Sequence, residues 1–214
     1  LDWCVGELTA ALARLNLDDR TLVVFCSDNG PVLDDGYQDG AIEKNGDHRA
    51  AGPFRGGKYS VYEGGARTPF ITRWRGRIEP GVSREMVCTI DLAASFAQLT
   101  EQQLPAGSCV DSCEVLNALL GKKNATGRDH LVLQDNGGRG TFALRAGKWK
   151  LHRYDSGSTY NVVVETTLAK TPVPRFQLFN LEDDPGEQEN VIDQHPDVAE
   201  RLMMQLAGII DNDQ

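Results

Sequence analysis

The chain has 214 residues, enough for one large domain or for a medium-sized domain with a smaller unit attached. Hydrophobic residues make up 40% and charged residues 25%, which is ordinary for a globular protein. The formal net charge of -9 argues against a nucleic-acid-binding protein, which usually carries a basic face. No apolar run approaches the roughly 18 residues that a membrane-spanning helix needs.

The N-terminal residues predict one unit of an α/β sheet. Apolar residues recur at helical spacing over residues 1–15 and predict an amphipathic helix that ends near Asn16. The β-branched, apolar run from Thr21 to Cys26 then predicts a strand buried on both faces, with Cys26 in the core. A polar loop follows at once. This succession is typical of a doubly wound sheet, in which ligands bind at the carboxyl ends of the strands.

The middle of the chain predicts a long loop followed by short elements. Residues 31–57 are rich in glycine and aspartate and have no periodicity, and loops of that length are usually functional or disordered. Phe70–Trp74 has the composition of a second short strand. Asp91 is expected to begin a helix, because an apolar stripe follows this acidic residue. A further short helix is predicted from about Ser112 to Leu120.

The C-terminal part of the sequence has a different pattern. Short strand candidates come in succession, two of them joined by a hairpin at Ala146-Gly147, and an amphipathic helix begins near Pro196. The pattern predicts a small antiparallel α+β subdomain, so we divide the chain into residues 1–126 and 127–214. The strand candidates are His130–Asp135, Thr141–Arg145, Lys148–Tyr154 and Phe176–Asn180.

Asp28 and Asn29 are candidate metal ligands, because they follow the predicted buried strand. A carboxylate beside an amide oxygen suits a hard divalent cation such as Ca²⁺ or Mg²⁺. The same two residues are also frequent in ordinary strand-to-loop turns. Two ligands do not complete a six-coordinate site, so further carboxylates would have to come from elsewhere.

Lys58 is a candidate active-site residue. It follows Gly56-Gly57, where the backbone can approach a ligand closely and the ammonium can project into a cleft. A lysine there can act as a point charge beside an oxyanion or, with a lowered pKa, can move a proton. The alternative is a solvated lysine in a loop. The spacing does not fit a Walker loop. Arg67 could bind an anion or pair with Glu63, and we favour the ion pair.

The cysteines and histidines give weaker signals. Cys109 and Cys113 are four residues apart, which suits a disulfide or two ligands of a metal site, but no further cluster completes a zinc site. His48 is expected to be exposed in the long loop. The other histidines are expected to be structural; they are His130, His152 and His195.

Several blocks, read together and in order, resemble the sulfatase family of the alkaline-phosphatase-like superfamily. The strand and loop resemble the family's T-L-V-x-F-T-S-D-N-G segment, and the lysine block resembles L-R-G-G-K-x-x-x-x-E-G-G-x-R-x-P. Further matches are a helix start and pieces of a C-terminal sheet. The blocks are Asp2–Leu8, Thr21–Gly30, Phe54–Lys58, Tyr62–Ile71, Thr89–Leu92, Trp149–Leu151, Leu178–Leu181 and Asp184–Glu187, with Asn190.

The resemblance implies a site and a reaction. Asp28 and Asn29 would be two ligands of the Ca²⁺ or Mg²⁺ ion, and Lys58 would contact the sulfate group. The family's nucleophile is a formylglycine hydrate, made from the cysteine or serine of a C/S-x-P-x-R motif. The cation and cationic side chains stabilise charge on the sulfuryl oxygens, and hydrolysis releases sulfate and an alcohol. The substrate would be a sulfated small molecule or glycan, in a periplasmic, secreted or lysosomal compartment.

The chain departs from the family at the nucleophile. No cysteine or serine is followed by x-Pro-x-Arg, and the family's N-terminal acidic ligands and catalytic histidine lie upstream of the matching region. We therefore expect the C-terminal part of a doubly wound sheet, with a small antiparallel subdomain and a closing helix. The N-terminal portion of the same protein would supply the formylglycine and the remaining cation ligands. The chain alone is expected to be inactive.

Two other functions fit the same residues. One is a phosphonate monoester hydrolase or phosphodiesterase of the same superfamily, because such enzymes have a similar metal site. The other is a non-catalytic binding module that uses the long loop of residues 31–57. Cooperative unfolding of the chain as a monomer would favour the binding module, whereas aggregation or rescue by an N-terminal portion would favour a fragment.

Overall fold

The computed structural model of the chain describes residues 1–32, 37–135, 141–155 and 172–212. Their helices, in chain order, are α1 (Asp2–Arg14), α2 (Ala41–Asn45), α3 (Glu63–Ala66), α4 (Leu92–Leu99), α5 (Leu116–Leu119) and α6 (Pro196–Asn212). Their strands are β1 (Val23–Cys26), β2 (Phe70–Arg73), β3 (His130–Gln134), β4 (Thr141–Ala146), β5 (Trp149–Tyr154) and β6 (Phe176–Asn180).

The contacts divide the chain into two compact units. The first unit comprises Leu1–Cys26 and Pro69–Arg128, and the second comprises Ser27–Thr68 and Asp129–Gln214. Residues 27–68 therefore group with the C-terminal stretch, although they precede much of the first unit in sequence. The division into domains at residues 126 and 127 stays a prediction.

In the first unit, β1 and β2 form an antiparallel pair, with Val23 opposite Arg73 and Cys26 opposite Phe70. The predicted helix and strands are confirmed as α1, β1 and β2. The predicted burial of both faces of β1 is wrong, because its valines and phenylalanine are only half-buried. Cys26 is exposed, so its predicted place in the core is wrong as well.

Asp91 organises the rest of the first unit. It ends a short 3₁₀ turn and leads directly into α4, which confirms the predicted helix start. Its fully buried carboxylate accepts the backbone N–H groups of Cys88 at 2.8 Å and of Cys113 at 2.9 Å, and it pairs with Arg128. One carboxylate thus joins three segments. A small apolar cluster lies nearby in this unit, formed by Val115, Ala118 and Leu119 with Phe70, Val87, Leu92 and Ala125.

The second unit contains the antiparallel sheet β3-β4-β5-β6, in which the neighbours in sequence are also the neighbours in space. The hairpin between β4 and β5 turns at Gly147, whose positive φ of 57° suits a glycine in a tight turn. This confirms the hairpin that the sequence predicts. The α/β fold class and the closing C-terminal helix are confirmed too.

The two faces of this sheet differ in chemistry. Because side chains alternate along a strand, Leu151 points to one face and its neighbours Lys150 and His152 to the other. On the first face the sheet packs against α6, in a core formed by Leu144, Leu151, Leu178, Ala199, Leu202 and Leu206. On the second face, Lys150 and His152 are fully buried. A polar sheet face that is nevertheless buried needs partners for every charge.

Candidate functional site

The loops that carry Asp28 and Lys58 lie side by side in the second unit. The backbone N–H of Gly30 donates to the carbonyl oxygen of Gly65 at 2.9 Å, and the N–H of Lys58 donates to the carbonyl oxygen of Pro31 at 2.9 Å. The structure therefore brings together segments that are about 30 residues apart in sequence.

Glycines make this close approach possible. A Cβ atom on Gly30 would lie 1.8 Å from the carbonyl oxygen of Gly64, and a Cβ on Gly64 would lie 2.4 Å from the carbonyl oxygen of Arg55. Neither distance is compatible with a side chain, and the atoms met are backbone atoms that cannot move aside independently. Gly30 is thus required where the Asp28 loop meets α3, and Gly64 is required where α3 packs against the start of the Lys58 segment.

Asp28 and Asn29 lie at the start of the first of these loops. Asp28 is exposed and Asn29 is half-buried. The amide Nδ2 of Asn29 donates to the carbonyl oxygen of Gly30 at 2.9 Å, so Oδ1 is the acceptor atom of this side chain. A carboxylate and an amide oxygen fit the donor set of a hard cation. No group of three or more acidic, histidine or cysteine side chains suited to a metal occurs within the described ranges. Their metal role stays a prediction.

Lys58 lies in a tightly defined turn. Ser60 Oγ donates to the carbonyl oxygen of Gly57 at 2.8 Å, and the Lys58 ammonium lies 4.9 Å from the centroid of the Tyr59 ring, a cation–π contact. Tyr59 has a φ of 77°, an uncommon backbone conformation for a bulky residue. Such conformations persist where the surroundings hold them and are frequent at functional sites. The catalytic role of Lys58 stays a prediction.

Glu63, at the start of α3, pairs with Arg67, as the sequence predicts: Arg67 Nε lies 2.6 Å from Glu63 Oε2. Glu63 is only 1% exposed, however, and it has further cationic partners. Lys150 Nζ on β5 lies 2.9 Å from its Oε1, and Arg145 Nη1 on β4 lies 3.3 Å from its Oε2. The predicted local pair is therefore one part of a larger ion network on the polar face of the sheet.

Glu187 is the second carboxylate of this network. Its Oε1 lies 3.0 Å from Lys150 Nζ and 2.8 Å from His152 Nε2, and its Oε2 accepts the backbone N–H of Glu63 at 2.6 Å. Lys150, His152 and Glu187 are all fully buried. A single ammonium is thus shared by two buried carboxylates, an arrangement that we call the Lys150 network: Glu63, Lys150, His152 and Glu187.

Protonation in the Lys150 network follows from burial and charge. Burial alone would raise the pKa of Glu187, but the Lys150 ammonium and the hydrogen bond with His152 outweigh it and hold the pKa at about 2. Burial likewise opposes ionisation of Glu63, but Lys150 and Arg145 lower its pKa. Both carboxylates are therefore ionised at neutral pH.

His152 is neutral at neutral pH, because burial lowers its pKa more than Glu187 raises it. Its Nε2–H therefore donates to Glu187, and its Nδ1 accepts the hydroxyl proton of Tyr154 across 2.9 Å. Burial also raises the pKa of Tyr154 well above its ordinary value, so the hydroxyl keeps that proton. His152 is a structural histidine, as the sequence predicts.

The other titratable candidates lie outside this network. His48 is exposed, His130 Nδ1 lies 2.7 Å from Asp129 Oδ1, and the ring of His195 lies 4.7 Å from that of Trp149. The cysteines are free thiols, including Cys109 and Cys113, so the structure contains no disulfide between those two.

Sequence reasoning does not find Lys150 and Glu187 as partners of Glu63. They lie 87 and 124 residues away along the chain. The sequence clue to such a partner is the lysine between Trp149 and Leu151, within an otherwise apolar stretch of a predicted strand. A charge at a buried position of this kind needs an oppositely charged partner.

Comparisons with known proteins place this geometry in a family. The Sulfatase family model matches residues 1–102. N-acetylgalactosamine-6-O-sulfatase of Bacteroides thetaiotaomicron is 41% identical over 98% of this chain and 40% of its own length. Arylsulfatase A of Bos taurus is 34% identical over 93% of this chain and 39% of its own length. A solved sulfatase from the glycosaminoglycan metabolism of Bacteroides thetaiotaomicron aligns with a TM-score of 0.84 and 41% identity, over 97% of this chain and 42% of the other.

The chain belongs to the sulfatase family, within the alkaline-phosphatase-like fold. It spans about 40% of the length of the curated relatives and corresponds to their C-terminal portion. Across the parts of the chain that the structure describes, no helix is both long and apolar enough to cross a bilayer.

Proposed function

We propose that the protein to which this chain belongs hydrolyses sulfate esters, and that Asp28, Asn29 and Lys58 form one wall of its active site. The observation that carries the proposal is the pair of backbone hydrogen bonds that joins the Asp28 loop to the Lys58 turn. These hydrogen bonds bring the segments that carry Asp28, Asn29 and Lys58 into one region of the second unit. The opposite wall, with the formylglycine nucleophile, would come from the N-terminal portion of the protein.

Asp28 and Asn29 would hold a Ca²⁺ or Mg²⁺ ion, which supplies charge stabilisation at the sulfuryl oxygens when it is bound. The hydrogen bond from Asn29 Nδ2 to Gly30 orients the amide so that Oδ1 is presented as the ligand atom. Two oxygens are too few for either cation, so acidic side chains outside this chain would complete the shell. The chain alone is therefore expected to bind the ion weakly and to be inactive.

Lys58 would place its ammonium beside the sulfate group, where a fixed positive charge stabilises the charge that develops on oxygen. The rigid turn from Gly56 to Ser60 supports this role, because preorganised charges stabilise a transition state better than mobile ones.

The substrate class that we propose is a sulfated glycan, in a periplasmic, secreted or lysosomal compartment. The support is the 41% identity to a relative named for N-acetylgalactosamine 6-O-sulfate. Pocket residues that select a sugar lie partly outside this chain, so a sulfated small molecule is the alternative substrate within the same reaction class.

The N-terminal portion of the protein is the partner that we propose for the first unit. Leu8 on α1 is 68% exposed and Leu15, at the end of α1, is 66% exposed. Residues seven apart lie on the same face of a helix, and α1 has no buried residue. Large apolar side chains that are exposed together are typical of surfaces that other protein covers.

Lys58→Ala in the full-length protein tests the proposed reaction. Sulfate release from an N-acetylgalactosamine 6-sulfate glycan and from an aryl sulfate should fall by about 10²-fold or more in kcat/KM, because a fixed charge is lost from the reacting group. Lys148→Ala is the matched control, since this exposed lysine contacts Glu182, 3.7 Å away, and the Trp149 ring, 5.3 Å from its centroid, outside the proposed site. A phosphonate monoester cleaved faster than the sulfates, or unchanged sulfate release in Lys58→Ala, would contradict the proposal.

A further inference from the structure

The segment that carries Lys58 is tied at both ends to one residue. At its start, Arg55 Nη1 donates to the backbone carbonyl oxygen of Glu187 at 2.9 Å. At its end, the backbone N–H of Glu63 donates to Glu187 Oε2 at 2.6 Å. Lys58 lies between these two attachment points, in the middle of a segment of nine residues, 55–63.

Glu187 is itself held firmly. It is fully buried and has a φ of 53°, which is uncommon for a residue with a side chain. Its backbone N–H donates to the carbonyl oxygen of Asp184 at 3.2 Å, within a turn that Asp184 Oδ2 closes by accepting the N–H of Gln188 at 2.6 Å. A strained conformation persists where several contacts determine it together.

The two carboxylate oxygens of Glu187 have separate partners. Oε1 faces Lys150 and His152 on β5, so it fixes the carboxylate to the sheet. Oε2 is bonded to the main chain of the Lys58 segment. The carboxylate is thus a bridge between a rigid sheet and the segment that presents Lys58.

We propose that Glu187 is a positioning residue for Lys58. It holds both ends of segment 55–63 against the polar face of the sheet, and so fixes the Lys58 turn beside the Asp28 loop. The expected effect of Glu187 on catalysis rests on the proposed sulfatase function. The expected effect of Glu187 on the order of segment 55–63 does not. Fixed placement matters because a displacement of about 1 Å in a catalytic group can lower a rate by about 10²-fold.

Hydrogen exchange tests the structural part in the full-length protein. Glu187→Gln removes the charge that Lys150 and His152 hold, and we expect exchange in peptides covering residues 55–66 to become about tenfold faster. Asp91→Asn is the matched control, because Asp91 is also fully buried, accepts backbone N–H groups and pairs with an arginine, but lies in the first unit. Equal exchange of residues 55–66 in the two variants would overturn the proposal.

A double-mutant cycle tests the catalytic part. Glu187→Gln should lower kcat/KM by about tenfold or more when Lys58 is present and should have little further effect in the Lys58→Ala background. Asp91→Asn should lower kcat/KM by the same factor in both backgrounds. Additive effects of Glu187→Gln and Lys58→Ala would overturn the positioning role.

The two measurements separate the two hypotheses. If Lys58→Ala leaves sulfate release intact while Glu187→Gln still accelerates exchange of residues 55–66, the proposed function fails and the positioning role stands. If Glu187→Gln does not fold, Arg55→Lys replaces it, since Arg55 is only half-buried and holds the other end of the segment. Faster exchange confined to residues 55–60 is then expected, and unchanged exchange there would overturn the proposal.

Discussion

The two units satisfy buried carboxylates in different ways. In the first unit, Asp91 accepts two backbone N–H groups and pairs with one cation, Arg128. In the second unit, Glu63 and Glu187 share the ammonium of Lys150 between them. Asp91 thus has backbone donors for both of its oxygens, whereas Glu63 and Glu187 depend mainly on cationic side chains, with Lys150 common to both.

The kind of partner determines how much stability each buried carboxylate site loses when a cation is removed. The backbone donors to Asp91 remain in place when a cation is lost. A shared ammonium links elements that are far apart in sequence, but its loss leaves buried negative charge with fewer partners, which is strongly unfavourable. The polar face of the sheet is therefore the more vulnerable of the two, and it is the one connected to Lys58.

Lys150→Met should have the largest effect on stability. It removes the ammonium that both carboxylates share and leaves Glu187 with His152 and one backbone N–H. We therefore expect a loss of about 3–5 kcal/mol in the free energy of unfolding. Urea unfolding of the full-length protein measures it, with the exposed Lys148→Met as the control. A loss no larger than that of Lys148→Met would show that Arg67 and Arg145 suffice for the network.

Acid should weaken the second unit through the Lys150 network. The pKa of Glu187 is about 2 in the folded state against an ordinary value of 4.5, so its contribution is present above pH 4.5 and is lost as the pH falls towards 2; it corresponds to about 3 kcal/mol. The lowered pKa of His152 acts in the same direction below its ordinary value of 6.5, because the unfolded chain binds the proton first.

Urea unfolding between about pH 7 and about pH 3 measures this loss. Glu187→Gln should flatten the part of the profile below pH 4.5, whereas Glu182→Gln, at an exposed surface pair, should leave it unchanged. An identical acid slope in the wild type and in Glu187→Gln would exclude Glu187 as its source.

Asp91→Asn should have the smallest effect of the three. The amide keeps one acceptor oxygen for Cys88 or Cys113 but turns an N–H₂ group towards the other donor, which costs about 1–3 kcal/mol. The charge that pairs with Arg128 is lost too, but the Arg128 guanidinium keeps the carbonyl oxygen of Asp111, 3.1 Å away, as an acceptor. The same unfolding measurement applies, with the exposed Glu79→Gln as the control. A loss greater than that of Lys150→Met would reverse the comparison between the two units.

Local elements could be predicted from the sequence because their signals are local. The helical spacing of residues 1–15, the acidic start at Asp91 and the turn at Ala146-Gly147 each depend on near neighbours, and each is confirmed. The environment of β1 could not be predicted in this way. Burial of Cys26 depends on what packs against each face of β1, and the apolar composition of a strand does not show which elements cover its faces.

Sequence signals are local at the candidate active site as well. The sequence by itself determined the candidate residues, Asp28, Asn29 and Lys58, because their chemistry and their glycine neighbours are visible in short motifs. Only the tertiary structure decided that Glu187 and Lys150 contact Glu63 at the end of the Lys58 segment, because sheet pairing and burial bring together residues more than 80 positions apart. A buried charge has to be compensated in space, and the partner's distance along the chain has no bearing on that energy.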